Sequence, residues 1–476
     1  MLLIRSLFFR TGAFLRSCLY WDKPFVLRVL LLMLPMVLQD LVAASLHILD
    51  GLMVSGLGDT AYSAVIQANR FTFIFQLFTF GSSTGSAIFF SQYWGARDIP
   101  RMRHTMGLAL IVCIGFSLLF TLGGLLFPRQ IISLYLLPGE SFELAVEYLR
   151  IVAPCYLLMA INAIYASSLK ASEKTYIPMI AGIVGISLNT ALNYAFIYGK
   201  LGAPAMGVSG AALATVISSV AILAVNLTFA YGKRLPAGAY LREMIGWDRG
   251  FPRKFLKTAT PVIINEGLWG LGVTLYSVFY GRMGDMSVAA IGLQASVNDL
   301  VWVVLMAMTS AAAIMVGKML GEHNRTNAYL YAKRLLAGGF AAGLVLGCFL
   351  FFMRIPLTSI FTGLSEATRS KAQILLALSA PTFCLRAFNC INVVGVLRSG
   401  GDTMFSMILD VGSLWLIGIP LAGIGSMLLG WPIEYVYCCT FADEILKFFV
   451  GIPHFRSQKW MHILTSQKEL NCLDNH

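Results

Sequence analysis

Asp40 and Asp50 stand in a run of apolar residues long enough to cross a bilayer, with Pro35 ahead of them and the turn Gly56-Leu57-Gly58-Asp59 behind. A carboxylate in such a run costs free energy unless it faces protein or water, so each marks a candidate site. Glu266, Asp299, Arg386 and Asp410 lie in comparable apolar surroundings further along the chain. Carboxylates at membrane depth suit three tasks: exchanging protons, coordinating a hard cation, or attracting a cationic solute. The six histidines are scattered, and no nucleophile elbow or His-Glu-x-x-His pattern occurs. The nine cysteines lack metal-ligand spacing and read as small apolar residues, neither disulfides nor ligands. An enzyme is therefore not expected.

The frame that carries the acids is repeated. Pro35 falls on Pro261, Asp40 on Glu266, Gly58-Asp59 on Gly284-Asp285 and Gly95 on Gly321, all at one offset and without a gap. The chain has 476 residues, 58% hydrophobic and 12% charged. A soluble globular chain carries about 25% charged residues, so this is a polytopic membrane protein. Its net charge of +12 is spread over many short loops, which excludes a nucleic-acid surface.

Runs of roughly 20 apolar residues, the length that spans a bilayer, fall near 25–54, 62–94, 104–128, 142–168, 176–199 and 207–231. The second half adds 255–281, 288–316, 331–354, 372–397, 403–425 and 431–451. The expected fold is all-α, with twelve transmembrane helices in two pseudo-symmetric six-helix lobes. An N-terminal arm covers 1–24, the first lobe 25–231, a cytoplasmic linker 232–254, the second lobe 255–451 and a cytoplasmic tail 452–476. Arg5, Arg10 and Arg16 interrupt the apolar N-terminus, so an interfacial basic helix is expected there rather than a signal peptide.

With the N-terminus inside, the outer loops hold only Arg129, Lys200, Arg282, Arg354, Arg369 and Lys371, while Arg70, Arg150, Arg386 and Lys447 lie within spans. The remaining Lys and Arg are on the inner side, so both termini are expected in the cytoplasm. An even number of spans per half gives a parallel repeat, whose halves can rock about a central cleft.

Several motifs now carry a resemblance. Ile48-Leu49-Asp50-Gly51 leading to Gly56-Leu57-Gly58, and Ser91-Gln92-Tyr93-Trp94-Gly95-Ala96-Arg97-Asp98, resemble the multidrug and toxic compound extrusion (MATE) family. So do Leu188-Asn189-Thr190-Ala191-Leu192-Asn193-Tyr194 with Gly207-Val208-Ser209-Gly210, and Leu397-Arg398-Ser399-Gly400-Gly401-Asp402-Thr403. The resemblance covers nearly the whole chain. It implies a cation-coupled antiporter of the bacterial inner membrane that exports amphipathic, often cationic compounds against H+ or Na+, with no other cofactor. By it, Asp50 matches the span 1 aspartate of the first lobe's cation site, and Asn189, Asn193 and Thr215 match its partners. Many members carry Asp where this chain has Asn193, and the span 7 acid of one branch lies about a turn after Glu266.

Depth points the same way. At about 1.5 Å per residue, Asp50 lies about 6 Å from the outer end of its span, Asn193 about 9 Å, Thr215 about 12 Å and Asn189 about 15 Å. An ion pair of Asp50 with Arg70 is the bland alternative. Near the midplane Glu266, Asp299, Arg386 and Asp410 form a second layer, with Asp40 as the counterpart in the first half. One reading pairs Arg386 with Asp299 or Asp410, which consumes one acid and leaves the rest for protons or cationic substrate; Glu266, five residues after the helix-breaking Pro261, is among these, with a permanent pair to Arg386 as its bland alternative. Asp443, Glu444 and Lys447 read as a local ion pair at helical spacing. The phenylalanines Phe71, Phe73, Phe75, Phe78 and Phe80, and Trp302, read first as packing residues. A lipid-linked saccharide flippase and a channel subunit are the competing classes. The partners expected are small molecules and membrane lipids, with a monomer as the working unit.

Overall fold

Inside a bilayer the backbone has no water to pair with, so apolar runs of this length become helices with internal hydrogen bonds. The computed structural model describes residues 21–361 and 364–465, and among them every regular element is helical. The spans are α1 Lys23–Ser55, α2 Asp59–Gly95, α3 Ile99–Leu126, α4 Glu140–Val152 with Cys155–Ala171, α5 Tyr176–Tyr198 and α6 Val208–Gly232. They continue as α7 Phe251–Gly281, α8 Asp285–Gly321, α9 Arg325–Ser359, α10 Glu366–Leu397, α11 Thr403–Leu428, and α12 Ile433–Cys439 with Ala442–Arg456. Ten of these are long and apolar enough to cross a membrane, and α4, bent by 48°, makes an eleventh. Pro154 sits at that bend, where its missing N–H and its ring interrupt the helix. The twelfth span is in two pieces, interrupted at Thr440-Phe441.

The repeat is written into the backbone. Gly58 and Gly284 both have positive φ (103° and 95°), as do Arg97 and His323 (58° and 55°). Asp98 caps α3 by accepting from the Arg101 N–H, and Asn324, its counterpart, caps α9 by accepting from Asn327. Neither repeat proline breaks its helix: Pro35 lies inside α1 and Pro261 inside α7. The expectation that Pro261 is a breaker is thus corrected; one lost backbone bond is tolerated where neighbouring helices hold the segment.

Contacts group the chain into two units, Pro35–Gly267 and the remainder. The division falls inside α1 and α7. The 232–254 connector is docked: it carries a short helix, Leu241–Met244, buries Ala237, Ala239 and Met244, and pairs Glu243 with Arg103 of α3.

In the unit Pro35–Gly267 the core is aromatic. Phe75 lies 4.7 Å from Tyr156, Phe71 lies 5.0 Å from Phe120, and Phe78 stacks on Phe116. Tyr156 shares a 3.0 Å hydrogen bond with Thr72, which satisfies the one polar atom of that buried ring. The first half of α7 packs into a groove of α2, where a Cβ on Gly81 would sit 2.8 Å from the Ile263 Cα and one on Gly85 3.1 Å from the Ala259 Cβ. The pair α5 and α6 is equally close, since a Cβ on Gly210 would meet the Phe196 backbone at 2.7 Å. Backbone does not give way as a flexible side chain would. We expect Gly210→Val to destabilise this unit by about 1–3 kcal/mol, read as a lowered melting temperature of the purified protein.

In the other unit, α1 begins against α9. Arg334 lies 3.1 Å from Asp22 and over the ring of Phe25, which packs on Tyr331. Acceptance of the Phe25 N–H, and then the Arg334 guanidinium, holds the Asp22 carboxyl below its ordinary range. The helices α10 and α11 widen to π-helical geometry at Ile391–Leu397, Leu414–Gly418 and Ile424–Leu428. Residues after α12 fold back over the α10–α11 turn: Trp460 is fully buried, and the His462 N–H donates to the Gly400 carbonyl at 2.8 Å. The expected N-terminal arm lies mostly outside the described residues, as does the end of the tail.

Candidate functional site

Asp50 lies near the end of α1, and the sequence makes that end hold its position. Tyr198 of α5 donates to the Met53 carbonyl at 2.7 Å, and Gly56 leaves room for the phenol. From α5, Asn193 donates its amide N–H groups to Asp50 at 2.6 Å and to the side-chain Oδ1 of Asn189 at 3.0 Å. Asn189, one turn earlier on the same face, donates in turn to Ser218 of α6 at 3.3 Å. The result is a relay of side chains running Asp50, Asn193, Asn189, Ser218 across three helices.

A cavity of about 160 Å³ opens beside Asp50, lined among others by Tyr62, Asn69, Tyr148, Ala211 and Thr215. Thr215 therefore shares the cavity with Asp50, while its hydroxyl donates to the Ala211 carbonyl at 3.0 Å. Of the four residues expected in this layer, Asn193 touches Asp50, Asn189 reaches it through Asn193, and Thr215 faces it across the cavity. Arg70 is exposed, and among the described residues Asp50 has no cationic partner at ion-pair distance. Sequence reasoning missed Ser218, Asn69, Tyr62 and Tyr148. A lone Ser, Asn or Tyr in an apolar span carries no signal that separates a cavity wall from ordinary packing.

With its amide N–H groups turned to Asp50 and Asn189, Asn193 presents a donor rather than an oxygen to the carboxylate. No cluster of three or more His, Cys, Asp or Glu that could hold a metal ion occurs among the described residues. The arrangement is that of a carboxylate bordering a cavity and accepting from the Asn193 amide.

The midplane layer is not one site. Asp40 lies within electrostatic reach of Lys170 of α4. Glu266 is buried, and its Cγ is 3.3 Å from where a Cβ on Gly81 would sit. It therefore belongs to the unit Pro35–Gly267. The reason is the glycine groove on α2, which seats the first half of α7.

In the other unit, Asp410 pairs with Lys447 at 2.9 Å and Arg398 at 3.9 Å. Lys447 also binds Asp443 at 3.0 Å and Glu444 at 3.7 Å, and Asn389 donates to Glu444 at 2.8 Å. The local pairing on α12 is present, with Asp410 of α11 added to it. Arg386 does not take part: it lies over Trp302 at 5.4 Å and Phe383 at 5.9 Å. Its expected pairing with Asp299 or Asp410 is thus corrected, because Lys447 and Arg398 already meet Asp410 and Asp299 stands exposed on α8. The seven cysteines among the described residues are free thiols.

An all-helical membrane protein built on two repeats, with a carboxylate and amides gathered from separate spans around an internal cavity, is of the transporter class. A family model described as MatE matches residues 35–195 and 261–424, one block in each repeat. The chain belongs to this family, whose members are transporters and not enzymes. It is 24% identical over 417 residues to the uncharacterized transporter YisQ of Bacillus subtilis (strain 168), covering 87% of this chain and 90% of that one. It is 25% identical over 413 residues to the multidrug resistance protein MdtK of Edwardsiella ictaluri (strain 93-146), covering 84% and 87%. A solved outward-facing conformation of a multidrug resistance MATE family transporter superposes with a TM-score of 0.81 at 21% identity, over 91% of this chain and 96% of that one.

Proposed function

We propose that this chain is a proton-coupled antiporter that exports amphipathic organic compounds from bacteria through the inner membrane, working as a monomer with both termini in the cytoplasm. The observation that carries it is Asp50, a carboxylate bordering a cavity, held by Asn193 and without a cationic partner among the described residues. A proton arriving from outside would neutralise Asp50, reduce its charge-assisted bond to Asn193 to a weaker neutral one and so loosen the relay across α1, α5 and α6. Each protonation state would then favour a different arrangement of these helices, the requirement for coupling. The multidrug resistance named for MdtK supports amphipathic substrates. The exposed Asp299 supports a cationic group on some of them, and the distribution of Lys and Arg supports the orientation.

The test is ethidium transport by the purified protein in proteoliposomes, with pH and Na+ gradients collapsed separately. Loss of transport with the pH gradient alone is expected; dependence on Na+ instead would overturn the proton assignment. Asn193→Asp should shift the dependence towards Na+, because it sets a second carboxylate beside Asp50. An unchanged ion response in a variant that still transports would remove α5 from the site.

A further inference from the structure

Arg386 is a mid-span arginine that the ion pairs leave over. It lies eleven residues before the inner end of α10 at Leu397, about 16 Å along the helix axis. Among the described residues no carboxylate lies within ion-pair distance of it and no hydrogen bond satisfies it; its neighbours are the rings of Trp302 and Phe383. Tyr280 and Tyr437, within its electrostatic reach, are phenols, and Asp443, an acid also in reach, is bound to Lys447 at 3.0 Å. The guanidinium is only partly covered, and none of its nitrogens is among the buried atoms that lack a partner. A permanently charged group at this depth is costly in lipid, and such residues face the bundle interior or water.

A guanidinium over an aromatic ring keeps all five N–H donors available, and their fork matches the two oxygens of a carboxylate. Trp302 adds an aromatic surface beside it. A cation and a ring together form a recognition set for an aromatic solute that carries an anionic group.

We infer that Arg386 and Trp302 form a substrate subsite for aromatic carboxylates, with the carboxylate on the Arg386 fork and the ring against Trp302. The inference rests on the reading of the chain as an exporter of amphipathic compounds and names a substrate class for it. Compounds bearing both charges would then be handled as readily as simple cations.

The test uses the full-length protein in nanodiscs and the fluorescent probe dansylglycine beside its uncharged methyl ester. Binding is read by energy transfer from tryptophan against protein-free discs. The wild-type protein should bind the carboxylate about tenfold more tightly than the ester, in line with a charge-assisted hydrogen bond. Arg386→Gln should erase that preference while leaving ester binding in place, and Arg386→Lys should retain part of it. Equal affinities for the two probes in the wild-type protein would overturn the subsite, and so would an undiminished preference in Arg386→Gln. Should the glutamine variant not fold, the wild-type comparison and the lysine variant decide. Failure of wild-type ethidium export with the carboxylate preference intact would refute the proton-driven export and leave the subsite standing.

Discussion

Asp50→Asn is expected to reduce proton-driven export to the level of protein-free vesicles while the protein remains folded and inserted. The introduced amide has nearly the shape of the carboxylate and keeps an oxygen that can accept from Asn193, so the 2.6 Å contact survives as a neutral bond. Loss of the charge on one hydrogen bond costs about 1 kcal/mol of stability, too little to unfold the protein. What disappears is the group that binds and releases the proton. Proteoliposomes containing the variant should still exchange substrate down its own gradient, since the cavity is unchanged. The measurement that checks this is ethidium uptake in the presence and absence of a pH gradient, beside a melting curve. Full gradient-driven uptake by a folded variant would exclude Asp50 as the coupling residue.

Lys447→Met should have the largest effect on stability. The ammonium meets Asp410, Asp443 and Glu444, and both Asp443 and Lys447 are at least 95% buried. Removing one partner from a buried ionic set leaves the other charges uncompensated and costs about 3–5 kcal/mol. The variant should be poorly expressed or melt well below the wild type. Adding Asp443→Asn and Asp410→Asn to Lys447→Met should recover much of the loss, because the acids no longer have to stay charged without a partner. A Lys447→Met protein as stable as the wild type would show that the cluster is hydrated rather than sealed.

The repeat was legible because it is a one-dimensional pattern: Gly58 and Gly284, or Asp98 and Asn324, fill matching backbone roles. The neighbourhood of Asp50 was legible through resemblance and depth, although the amide orientation of Asn193 and the presence of Ser218 were not. The partners of Arg386 were not legible at all. Depth places Arg386 and Asp410 in one layer of the bilayer, but says nothing about rotation around each helix axis, and rotation decides that Lys447 meets Asp410 while Arg386 meets Trp302. The π-helical stretches of α10 and α11 change that rotation locally without an obvious mark in residue type. The unbroken α7 serves one unit with its first half and the other with its second, a division that depth alone does not reveal.

That division of α1 and α7 bears on how the protein is made. The first turns of α1 leave the ribosome early, yet Asp22 and Phe25 find Arg334 and Tyr331 only after some three hundred further residues have been synthesised. The groove of Gly81 and Gly85 likewise waits for Ala259 and Ile263, which follow the cytoplasmic connector. Neither half of the gene thus encodes a self-sufficient bundle. During translation the first six spans sit in the membrane with an open seam on α2, and the start of α1 remains undocked until α9 has been inserted. Contacts so distant in sequence slow the final assembly step and leave an intermediate open to the membrane's quality-control proteases. A chain truncated after α6 is expected to be degraded, and the two halves expressed as separate polypeptides should be recovered only when both are present and the split leaves the first half of α7 attached to its second.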